Sequence, residues 1–164
     1  MLHYSKQTIQ EKFSKKLDFG TGGIRTKVEL GTNFINEYTV QHIAYQYSKY
    51  ITSKFNNKIS ICITFDNRHS SKLFSDLFAK ILCYQGINII MYTSIQPTPI
   101  LSFSILHYKA SGGIAITASH NSKEYNGIKF YNEFGSQCTL DDICMLKQYI
   151  QNNSVIDSLE SISK

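Results

Sequence analysis

No two of the four cysteines, Cys62, Cys83, Cys138 and Cys144, form a C-x-x-C pair. That spacing excludes a zinc ribbon, and with two of the four in apolar runs it leaves reduced core thiols rather than a disulfide frame. Tryptophan is absent and proline occurs twice. Usage leans instead to Asn, Lys, Ile, Tyr and Ser, which is compositional bias rather than a functional signal. No apolar run approaches the ~20 residues of a membrane span. The amino terminus, Met1-Leu2-His3-Tyr4-Ser5, lacks the apolar core of a signal peptide, so cytoplasm is the expected location. Basic residues cluster only in pairs such as Lys15-Lys16, with no aromatic-basic stripe, which argues against a nucleic-acid partner. There is no internal repeat and no low-complexity block.

What remains is a chain of 164 residues, 42% hydrophobic, with a formal charge of +5. It has the length for one domain around one core, burying roughly 70% of the surface its unfolded form exposes. A modest positive excess suits anionic ligands, phosphates among them.

A weak helical pattern runs from Thr8 to Lys16. Gly20-Thr21-Gly22-Gly23 then demands a sharp turn or a close backbone approach. Asn36 is a good cap for an amphipathic helix over 37–55, where Val40, Ile43, Ala44, Tyr47 and Ile51 recur at helical spacing. Residues 59–65 alternate as a strand, and 66–71 form a polar loop whose Ser70 or Ser71 can cap a second helix. Phe74, Leu77, Phe78, Ile81 and Leu82 make its buried stripe, and Gly86 closes it. A strand over 88–92 and the rigid turn Pro97-Thr98-Pro99 follow, Pro99 opening a third helix that reaches Tyr108. Strands at 113–117 and 127–131 and a helix over 140–150 complete the pattern. The order predicts an α/β fold: a three-layer α/β/α arrangement around a mixed, mostly parallel sheet. Residues 1–152 are expected to form the domain and 153–164 a loose tail. In such sheets, ligands meet the loops beyond the carboxyl ends of strands.

Ser119 lies in such a loop, within Thr117-Ala118-Ser119-His120-Asn121. A serine hydroxyl needs a partner that takes its proton or a cation that stabilises its product. His120 is adjacent. Lys129 returns a cation towards the same end if the two short strands lie side by side, with Arg25 as a further cation. A Ser-His pair also suggests acyl transfer, but neighbours on a strand face opposite ways and there is no G-x-S-x-G elbow. Unreactivity of Ser119 towards acylating probes would count against that alternative. Ser, Asn and Gly are also ordinary turn formers, so a plain turn stays open. The glycine stretch matches no phosphate-binding fingerprint on its own.

Thr117-Ala118-Ser119-His120-Asn121 followed by Tyr125-Asn126-Gly127-Ile128-Lys129 resembles the phosphoserine loop of the α-D-phosphohexomutase family. Phe19-Gly20-Thr21-Gly22-Gly23-Ile24-Arg25 is similar to its amino-terminal signature. Asp66-x-Arg68-x-Ser70-Ser71 and Pro97-Thr98-Pro99 match further landmarks of its first domain, in order. The likeness covers residues 17–137. It implies that Ser119 carries a transferable phosphoryl group, with His120 and Arg25 beside it and Lys129 as proton-transfer residue or electrostatic helper. It also implies phosphate or substrate contacts from Thr21, Gly22 and Asn121. Magnesium would take one ligand from phosphorylated Ser119, with glucose 1,6-bisphosphate as activator. The activity implied is a phosphoglucomutase or phosphomannomutase reaction, interconverting sugar 1-phosphate and 6-phosphate through a bisphosphorylated intermediate.

The family's Asp-x-Asp-x-Asp metal loop and its later domains II–IV have no counterpart here; Asp141-Asp142 is the nearest acidic pair and is expected to start the last helix. Mutase turnover is therefore expected to need those domains, on a separate chain or otherwise, and apolar surface meant for them is expected to lie exposed and to favour self-association. Two positions depart from the pattern: Ser122 stands where the family commonly has Pro, and Thr26 where it has Gly. They favour a second reading, a non-catalytic phosphate- or partner-binding remnant of the family.

Overall fold

The structure is a computed structural model that describes residues 5–20 and 22–163. Ser5 caps α1 (Lys6–Phe13), its Oγ accepting from the Thr8 N–H. A tight antiparallel hairpin of β1 (Phe19–Gly20) and β2 (Gly23–Lys27) follows. Gly23 has φ +140°, and a Cβ there would come within 2.0 Å of the Ile128 carbonyl oxygen, so only glycine fits this close approach.

Asn36 caps α2 (Glu37–Lys54) reciprocally: its side chain accepts from the Thr39 N–H, and Thr39 Oγ1 accepts from the Asn36 N–H. β3 (Ser60–Phe65), α3 (Ser71–Tyr84), β4 (Asn88–Met91) and α4 (Thr98–Tyr108) alternate as right-sized α/β units. β5 (Gly112–Ile116) and β6 (Tyr125–Tyr131) pair antiparallel, and α5 (Leu140–Asn152) starts from a Thr139–Asp142 capping box.

The six strands form one mixed sheet in the order β1-β2-β6-β5-β3-β4. β4, β3 and β5 run parallel; β5, β6, β2 and β1 pair antiparallel. Strand alternation splits the side chains between two faces. On one face, Ile24, Ile61, Ile63, Ile114, Ile116, Ile128 and Phe130 join the larger core with α2, α3 and α5. On the other, Cys62, Ala115 and Tyr131 pack with Leu101 and Ile105 of α4. The α/β/α layering is that expected from the sequence.

The segment after 152 differs from the expected loose tail. It forms α6 (Val155–Ile162), capped by Ser154 and docked on α2. Ser158 is buried there, bonded to His42 Nδ1 at 2.8 Å and accepting from Gln46 Nε2 at 2.9 Å. Contacts across more than a hundred residues, invisible to local patterning, order the end of the chain. The thiols also differ from a uniform core set: Cys62 is buried, while Cys83 and Cys144 are exposed.

α4 is largely apolar, and its outer surface leaves Phe103 and Leu106 each 59% exposed. Among the described residues no helix is long and apolar enough to cross a membrane.

Candidate functional site

β3 and β5 are parallel neighbours, so the loops leaving their carboxyl ends, 66–70 and 117–124, lie side by side on one rim of the sheet. β5 delivers a buried Thr117-Ala118 into the turn, and the chain then surfaces at Ser119 and His120. Ser119 sits in the left-handed region at φ +57°. For a residue other than glycine this costs of order 1–3 kcal/mol and persists only where the surroundings over-determine it.

Those surroundings are specific. The Ser119 N–H donates to Thr117 Oγ1 at 3.0 Å, and the Asn121 N–H donates to the Ala118 carbonyl at 3.1 Å. Arg68 reaches across from the neighbouring loop. Its Nη1 donates to the carbonyls of Ser122 and Tyr125, each at 2.8 Å, and its Nη2 to those of Ser119 at 3.0 Å and Asn121 at 2.7 Å. Asp66 braces the guanidinium, with Oδ2 3.3 Å from Nε. The other Asp66 oxygen accepts from the Arg68 N–H and from Ser71 Oγ. Ser71 Oγ in turn accepts from Asn126 Nδ2 at the root of β6. The Ser119 turn is thus held by its main chain, while its exposed hydroxyl bonds to the neighbouring His120 Nδ1.

Two open clefts flank this rim. One, of about 380 Å³, is lined by Asp66, Asn67, Arg68, His69, Ser119, Asn121 and Lys123. The other, of about 390 Å³, is lined by Gly20, Gly22, Gly23, Ile24, Arg25, Lys129 and Gln137. Arg25 joins them, its Nη1 donating to Asn121 Oδ1 at 2.9 Å.

The structure brings Ser119, His120, Asn121 and Arg25 together and sets Lys129 apart. His120 shares the turn with Ser119 rather than alternating along a strand, and its Nδ1 lies 3.4 Å from Ser119 Oγ. Lys129 pairs with Ala115 on one side and Gly23 on the other. It lines the second cleft with Arg25 and Gly22, whereas Ser119 lines the first. Thr21 lies outside the described residues.

The two departures from the family pattern bear little on either cleft. Thr26 falls on the strand face opposite Arg25, its Oγ1 directed at the Asn33 carbonyl at 3.5 Å. Ser122 contributes its carbonyl to Arg68. The residues that sequence reading passed over are Asp66 and Arg68 as a brace, with His69 and Lys123 as cleft walls. The available signal was Asp-x-Arg just after a strand parallel to the one that delivers Ser119.

Among the described residues no three His, Cys, Asp or Glu side chains converge. Asp66, the carboxylate that shares a cleft with Ser119, is engaged by Arg68 and Ser71. Asp142 serves α5: burial would raise its pKa, but hydrogen bonds from Tyr50, Lys54 and Thr139 and the Lys54 charge prevail and hold it at about 2. Burial pushes the Cys62 and Cys138 thiols up to about 11 and about 12, so both are protonated at neutral pH.

Residues 16–156 match the family model for phosphoglucomutase/phosphomannomutase, alpha/beta/alpha domain I. A phosphoglucomutase of Staphylococcus epidermidis is 39% identical over 150 residues, covering 90% of this chain and 27% of its own. One of Staphylococcus haemolyticus is 42% identical over 146 residues, covering 88% and 26%. The chain therefore spans about a quarter of the length of these curated relatives. A structure from Thermus thermophilus, provisionally described as a phosphomannomutase, superposes with a TM-score of 0.77 at 25% identity, over 83% of this chain and 30% of that one. The open form of the Paramecium phosphoprotein parafusin shares the fold, with a TM-score of 0.67 at 21% identity, over 80% of this chain and 24% of that one.

Proposed function

This chain belongs to the phosphoglucomutase/phosphomannomutase family, matching its α/β/α domain I, and from that premise we propose that it is the phosphoserine-bearing domain of a phosphohexomutase. Ser119 is the phosphoryl carrier. In one direction its phosphoryl group passes to a hydroxyl of a sugar monophosphate: the sugar O–P bond forms, the Oγ–P bond breaks, and the sugar's proton ends on Ser119 Oγ. In the other, Ser119 Oγ takes the second phosphoryl group of the bisphosphate and its own proton ends on the released sugar oxygen. Sugar reorientation between the two steps exchanges the phosphorylated position.

The chain's residues divide this work by their clefts. Arg68 and Asp66 position the Ser119 turn, His69 and Lys123 line its cleft, and His120 contacts its hydroxyl. Arg25 and Lys129 in the second cleft face the incoming sugar phosphate, Lys129 relaying the sugar proton. Phosphoryl transfer relies chiefly on such positioning and on cations near the equatorial oxygens. A phosphoserine carries about −1.5 to −2 charge, which these groups oppose. Phosphorylated Ser119 would offer magnesium one oxygen ligand; the remaining carboxylates and the sugar-binding loops would come from the family's other domains, which complete turnover needs.

One observation carries the reading: an exposed serine on a left-handed turn at the carboxyl end of β5, its main chain anchored and its hydroxyl bonded to the adjacent His120. The test is intact-mass and peptide analysis of the purified chain before and after exposure to glucose 1,6-bisphosphate. A gain of one phosphoryl group on Ser119, abolished by Ser119→Ala, is expected. A chain that stays unmodified, alone and with the remaining family domains supplied, would return the protein to a phosphate-binding remnant.

A further inference from the structure

We propose that Arg68 is the positioning residue of the Ser119 loop, acting on the loop's carbonyls and not on the transferred phosphate. A guanidinium has five N–H donors in a fixed planar fork. Here four point at the carbonyls of Ser119, Asn121, Ser122 and Tyr125, and the Nε side faces Asp66. No donor is left over for an anion. The side chain is only 13% exposed, so it acts as an internal strut although it sits beside an open cleft.

The strut supplies what the loop lacks. From Ala118 to Glu124 the chain makes a turn with few main-chain bonds of its own, and Ser119 adopts a backbone that serine does not favour. Four carbonyls converging on one cation tie both ends of the turn together. They keep Ser119 left-handed and its hydroxyl outward. Asp66 fixes the fork through Nε. Through Ser71 and Asn126, the same carboxylate links the fork to the first residues of β6. Lysine has the charge but only three donors around a point, so it cannot span four carbonyls.

The transfer half of the test rests on the phosphoserine reading; the loop half does not. Wild type, Arg68→Lys and Asp66→Asn are compared as full 164-residue chains. Amide hydrogen exchange is read peptide by peptide, and the rate of phosphoryl incorporation from glucose 1,6-bisphosphate is read by intact mass. The expected result for Arg68→Lys is faster exchange, by about tenfold or more, confined to 118–127. The saturated incorporation rate falls by a similar factor, with the half-saturating bisphosphate concentration unchanged. Asp66→Asn, which loosens the fork without removing it, gives a smaller version of both and carries the test if Arg68→Lys does not fold. Wild-type exchange at 118–127 in the variants overturns the proposal. So does a rise in half-saturating concentration with the saturated rate kept, which would make Arg68 a phosphate ligand. If wild type takes up no phosphoryl group, alone and with the remaining family domains supplied, the phosphoserine reading fails and the exchange comparison still decides the role of Arg68.

Discussion

The two faces of the sheet are made by alternate residues of the same strands, yet they have opposite fates. On the α2/α3 side every strand from β2 to β3 contributes buried isoleucine or phenylalanine, and α5 and α6 pack against α2 behind them. On the other side α4 alone covers β3 and β5. Beyond it the cleft is lined by Gly23 and Arg25 of β2 and Lys129 of β6. Position 128 is a fully buried isoleucine while position 129 is a cleft lysine, one residue apart. Apolar burial is concentrated where helices cover the sheet, and the candidate site residues collect at the rim and on the strip where the cover stops.

That contrast can be broken by substitution, beginning with the covered face. Phe78 is fully buried and meets Tyr47 edge-on at 5.9 Å. Phe78→Ala is expected to lower unfolding free energy by about 3–5 kcal/mol in urea melts. Gly23→Ala follows, because the new Cβ strikes the Ile128 carbonyl on a backbone side chains rarely adopt; a loss of about 2–3 kcal/mol is expected, with exchange rising first in β1 and β2.

Asp142 sharpens the comparison through pH. Its folded pKa, about 2, lies below the ordinary 3.8, so the stability it contributes is complete above about 4 and is lost as pH falls through 2. Asp142→Asn should therefore cost about 1–2 kcal/mol at neutral pH, the partly exposed Lys54 partner being screened, and should flatten the acid limb of a stability-against-pH curve. Lys129→Ala, on the uncovered strip, is expected to leave stability within about 0.5 kcal/mol of wild type. Equal costs for Phe78→Ala and Lys129→Ala would show that the two faces do not differ as described.

Much of this was legible along the chain. Asn36 capped its helix as composition indicated, Gly86 took its left-handed conformation at φ +78°, and the strand at 60–65 alternated into both cores. Ser119 could be placed at a rim because a strand signal ended just before it. Lys129 could not be placed as well. Its proximity depended on the register of β6 against β5, which set it opposite Ala115, four residues short of Ser119. α6 was missed because its anchor is His42, far away in sequence. Arg68 was visible as a motif member but not as a strut, since nothing local says that a side chain will meet four carbonyls some fifty residues on.

Periodicity, caps and glycine placement by themselves determined the elements and their order, because those signals act within a few residues. They also determined which serine ends a strand. Only the tertiary structure decided which cations stand near that serine and which stand one cleft away. Strand register and the meeting of two parallel loops are set by packing across the whole sheet, and no short stretch of chain encodes them.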